Sequence, residues 1–60
     1  MNAKELIKKL EQAGFTFDRA NGSHRIYKKE GSKPITVPYH GNKDLKIGTA
    51  NKILKDAGLK

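Results

Sequence analysis

The sequence predicts an α+β fold of order α-β-β-β-α, a three-stranded antiparallel sheet with both helices on one face. Three observations carry this. Apolar residues recur at helical spacing near both ends, and between those segments the period drops to two in three short stretches. A third is that turn-forming residues separate each stretch from the next.

The first helix is expected from about Ala3 to Ala13. Asn2 with Glu5 three residues on is a capping-box start, and Leu6, Ile7, Leu10 and Ala13 then share one face. Gly14 can adopt the left-handed conformation that closes a helix, with Phe15 as the apolar contact beyond it. Strand one follows from Phe15, where Phe15 and Phe17 flank Thr16. Asn21-Gly22 is the strongest short hairpin signal, expected here as a type I′ turn, and Ile26 between Arg25 and Tyr27 continues the alternation in strand two. Glu30 to Lys33 form the next connection. Ile35 and Val37 flank Thr36 in strand three, bracketed by Pro34 and Pro38, whose missing N–H groups are tolerated at a strand end or sheet edge. Tyr39 to Lys43 make a polar turn, and Ala50, Ile53, Leu54 and Ala57 form the stripe of a second helix that starts between Lys46 and Thr49. Leu45 and Ile47 are expected to fasten its beginning to the core. With one apolar stripe per helix and one apolar face per strand, the sheet keeps a face open to water.

Sixty residues make one domain, 1–60, and a chain this short buries only ~60% of the surface its unfolded form exposes. Small domains commonly lean on a disulfide, a metal or a partner. With no cysteine and only His24 and His40, a partner chain is the expected support; neither a metal site nor a cofactor is indicated. Gly41-Asn42-Lys43 lacks the pattern of a phosphate-binding loop. Thirteen Lys and Arg against six Asp and Glu give a net charge of +7, which favours a polyanion. No apolar run reaches the ~18 residues of a membrane span, and Met1 to Glu5 do not read as a signal peptide, so a soluble cytoplasmic protein is expected.

His24 is the residue to examine for chemistry. It lies just beyond a turn that fixes its direction, and an imidazole can accept and return a proton near neutral pH. Transfer of a phosphodiester to a ribose 2′-OH needs that ability, together with donors that hold the charged phosphorane. Alternation sends Ile26 inward and Arg25, Tyr27 and Lys29 to the open face, offering charge for phosphates and a ring for a base. Lys28 adds a further charge, and Gly22 and Ser23 serve as positioning residues. His40 is a reserve candidate, a second acid or a phosphate contact. The same alternation sets His24 on the side of Ile26, so the turn would have to tilt it outward or hold it at the sheet edge.

Ala13-Gly14-Phe15, Arg19, Gly22-Ser23-His24, Val37-Pro38-Tyr39-His40, Gly48-Thr49 and Ile53 to Leu59 together resemble the HicA toxin family across nearly the whole chain. The resemblance implies a fold similar to the double-stranded RNA-binding domain and a small ribosome-independent endoribonuclease acting on mRNA, with His24 as its catalytic residue. It also implies a HicB-like antitoxin that binds the toxin and covers the site, the toxin being a monomer or part of that complex. A non-catalytic RNA-binding module of the same topology is the competing expectation.

Overall fold

Asn2 caps the first helix as its side chain allows: Oδ1 accepts the Glu5 backbone N–H at 2.9 Å, and α1 runs Ala3–Gln12. The computed structural model describes residues 1–40 and 44–60; the polar turn expected at Tyr39 to Lys43 therefore lies partly outside the described residues. The remaining elements are β1 (Thr16–Asn21), β2 (His24–Lys28), β3 (Ile35–Pro38) and α2 (Ile47–Asp56). The strands form an antiparallel sheet of order β1-β2-β3, as the alternation predicts.

Both helices end in the same way. After α1, the Phe15 N–H donates to the Leu10 carbonyl and the Gly14 N–H to that of Glu11, with Gly14 at φ 100°. After α2, Leu59 and Gly58 repeat the pattern to Leu54 and Lys55. These are Schellman closures, which require a left-handed residue at the glycine position. At the first, Leu10 and Phe15 are both buried and join the core.

The core lies between the helices and one face of β2 and β3. Leu6 and Leu10 of α1, Ile53 of α2 and Tyr27, Ile35 and Val37 of the sheet form one cluster with Ala3 and Phe15. Both helices thus cover the same face. Neither covers β1, whose six residues are all exposed, Phe17 at 52%.

Four expectations need correction. Asn21 belongs to β1 and pairs with His24, so the turn residues are Gly22-Ser23, one position later than expected. Gly22 has φ 58° and among the described residues no non-glycine residue has positive φ, Ser23 included, which excludes type I′ and matches the type II′ pattern of glycine at the first central position. Second, the faces of β2 are reversed. Tyr27 pairs with Ile35 and Arg25 with Val37, and directly opposed residues share a face, so Tyr27 (3% exposed) and Arg25 point to the helix side. His24, Ile26 and Lys28 take the other side, where Ile26 is nonetheless buried at 8% exposed, outside the main core cluster. Third, β1 starts at Thr16 rather than Phe15, and a bulge between Phe17 and Arg19 breaks its period of two, leaving Asp18 as the extra residue. Fourth, Leu45 packs on the core but Ile47 is 80% exposed, because the segment before α2 is tied to the N-terminus instead: the Leu45 N–H donates to the Met1 carbonyl at 2.8 Å.

Candidate active site

His24 opens β2 immediately after the Gly22-Ser23 turn and is exposed on the sheet face away from the core. The reversal of β2 removes the conflict in the alternation. His24 shares Ile26's side because that side is the open one, and no tilt of the turn is required. Pro38 is its partner in β3, Asn21 its partner in β1. The turn is held from below by the Tyr39 N–H, which donates to the Ser23 carbonyl at 2.6 Å.

Beside His24 is a cavity of about 470 Å³, within the range of small-ligand sites. Its walls include His24, Thr36 and Pro38 from the sheet and Thr49, Lys52 and Asp56 from α2. Ile35 and Thr36, which point to opposite faces of β3, both line it, so the cavity wraps around the β3 edge from the open face to α2. It therefore offers an imidazole, two hydroxyls, an ammonium and a carboxylate.

The other sequence candidates are dispersed. The Arg25 guanidinium stacks 4.1 Å from the Tyr39 ring centroid and 6.0 Å from that of Phe17, on the helix side. Tyr27 is buried, its ring edge-on to Phe17 at 5.7 Å, and is closed to a nucleobase. Lys29 follows β2 with Nζ 5.6 Å from the Phe15 ring. Lys28 does share the open face with His24, but four residues along a strand separate them by roughly 13 Å at ~3.3 Å per residue. Its Nζ lies 3.5 Å from an Asp18 oxygen that Arg19 also contacts at 2.6 Å. His40 is exposed and follows Tyr39, apart from the described lining of the cavity.

Thr49, Lys52 and Asp56 escaped the reading of the sequence. Their i, i+3, i+7 spacing was visible and puts them on one face of α2, flanking the core residue Ile53. Only the packing of α2 against β3 turns that face toward His24. Among the described residues no three His, Cys, Asp or Glu side chains gather as a metal site would require, and no helix is long and apolar enough to cross a membrane.

The fold and this cavity define a small basic α+β domain in which the exposed His24 lines a cleft of mixed polar and apolar walls. The chain belongs to the HicA toxin family: the family model described as HicA toxin of bacterial toxin-antitoxin matches residues 3–59. Among solved structures it is similar to a chain of a toxin-antitoxin complex from Streptococcus pneumoniae, at 37% identity and a TM-score of 0.87, with 98% of each chain covered. A search of the curated proteins finds no match.

Proposed function

We propose that this toxin is a metal-independent endoribonuclease that cleaves mRNA without the ribosome, in the cytoplasm, with His24 as its proton-transfer residue. The observation that carries the reading is the exposure of His24 on the uncovered face of the sheet, where it lines a cavity that runs around the β3 edge to α2. Family membership and a net charge of +7 support it. RNA brings its own nucleophile, so the protein needs no bound metal to generate one. His24 takes the proton of a ribose 2′-OH, the oxygen attacks the adjacent phosphorus, and the bond to the 5′-oxygen breaks as that oxygen takes a proton from water. The products are a 2′,3′-cyclic phosphate and a 5′-hydroxyl. Gly22 and Ser23 fix the direction of the imidazole, and Lys28, farther along β2, holds the RNA strand at a more distant phosphate.

A HicB-like antitoxin is the partner in this reading. The similar Streptococcus pneumoniae chain comes from a toxin-antitoxin complex, and a 60-residue domain with an uncovered strand has surface to lose to one. Loss of messages then arrests growth until the antitoxin covers the site.

The test incubates RNA with the protein and with His24→Ala, and measures binding to RNA carrying 2′-O-methyl groups. The expected result is cleavage by the parent chain only, with both proteins binding the blocked RNA. Equal cleavage by the variant would end the assignment to His24. Binding without cleavage by the parent chain would instead make it an RNA-binding module.

A further inference from the structure

We infer that Lys52 of α2 is the cation that neutralises the scissile phosphate, and that the RNA strand crosses the β3 edge between His24 and α2. This rests on the reading of the protein as a ribonuclease. A phosphorane carries more negative charge than the diester it forms from, so a fixed cation beside the proton-transfer group contributes more in the transition state than in the ground state. The basic residues nearest His24 in sequence do not provide one. Arg25 is engaged with Tyr39 and Phe17 on the opposite face, Lys29 stands over Phe15, and Lys28 is several residues down the strand. Lys52 lines the same cavity as His24, although 28 positions separate them in the chain.

Two further features fit a ribonucleotide in that cavity. Thr36 and Thr49 supply hydroxyl donors from its two walls, and Asp56, one turn beyond Lys52, repels a second phosphate while accepting from a sugar hydroxyl or a base amino group. One nucleotide is thereby oriented, its phosphate toward Lys52. On its other side Lys52 borders a surface shared with Lys55 and Lys60, which continues a basic track away from the cleft for the neighbouring phosphates.

The experiment compares Lys52→Ala, Lys52→Arg and Lys55→Ala with the parent chain, measuring kcat, KM and the salt dependence of binding to 2′-O-methyl RNA. Lys52 is exposed and mid-helix, where alanine and arginine both sustain a helix, and circular dichroism checks that each variant is folded. Lys52→Ala is expected to lower kcat about 100-fold, the loss typical of removing one transition-state donor. Lys52→Arg should recover most of that loss. Lys55→Ala should act through binding, raising KM and reducing the salt slope of binding by about 1. A folded Lys52→Ala with the parent kcat overturns the inference, even where His24→Ala is inactive and the ribonuclease reading stands. Cleavage that survives His24→Ala counts instead against His24 as the proton-transfer residue, and binding without cleavage by the parent chain against the ribonuclease reading, whatever Lys52 does.

Discussion

The Arg25 guanidinium carbon stands 4.1 Å from the centroid of the Tyr39 ring, and the same two segments are joined again where the Tyr39 N–H donates to Ser23. Tyr39 is the residue just after β3, while Ser23 and Arg25 flank His24. The histidine is therefore braced on both sides by contacts to one tyrosine. The arrangement converts an arginine that charge alone would assign to phosphate into a clamp between β2 and the end of β3.

Arg25→Ala should lower the unfolding free energy by about 1 kcal/mol, the size of a partly desolvated cation–π contact. Urea unfolding followed by circular dichroism measures it. Below the transition the variant should still cleave RNA. A variant that is as stable as the parent but binds RNA with a smaller salt slope would return Arg25 to the phosphate contacts.

Much of the fold was legible because its signals are local. Asn2 and Gly14 end the first helix by short-range hydrogen bonds, and Ile35-Thr36-Val37 can only put two aliphatic groups inward together. β2 was different. Its two alternating sets are His24, Ile26, Lys28 and Arg25, Tyr27, each with one apolar member, so periodicity separates the faces without saying which is inward. The β3 register decides, since Tyr27 opposes Ile35 and Arg25 opposes Val37. That pairing is non-local information, as is the bulge at Asp18, and it moved both Tyr27 and Arg25 away from the site. That His24 follows a tight turn was legible. That Lys52 shares a cavity with it was not, because the approach of α2 to the β3 edge depends on how two distant elements pack.

Gly22 has φ 58° and open space around the position of a Cβ, so a methyl group there would meet backbone strain and no neighbour. Gly22→Ala should cost about 1–2 kcal/mol from the left-handed conformation alone, and should weaken cleavage by disturbing the turn before His24. A synthetic chain carrying D-alanine at this position adopts positive φ without that strain and should match or exceed the parent in both stability and cleavage. Thermal unfolding and a cleavage assay separate the two. Identical behaviour of the two stereoisomers would mean that the turn geometry is not what Gly22 supplies.

Gly48 offers the reverse case. It lies in the first turn of α2, lacks a positive φ, and a Cβ built on it would meet nothing within 4 Å. Alanine loses less conformational entropy on folding than glycine, so Gly48→Ala should stabilise the protein by about 0.5–1 kcal/mol. In a domain of this size 1 kcal/mol is roughly a 4–8 °C rise in Tm, easily read by calorimetry. The same substitution probes the cleft, because Thr49, the next residue, lines the cavity beside Lys52. The stabilised variant should cleave like the parent, the RNA reaching no nearer the start of α2 than Thr49. A stabilised variant with a raised KM and unchanged kcat would mean instead that the bare backbone at Gly48 leaves room for the substrate, which would extend the RNA path along α2 toward its N-terminal end.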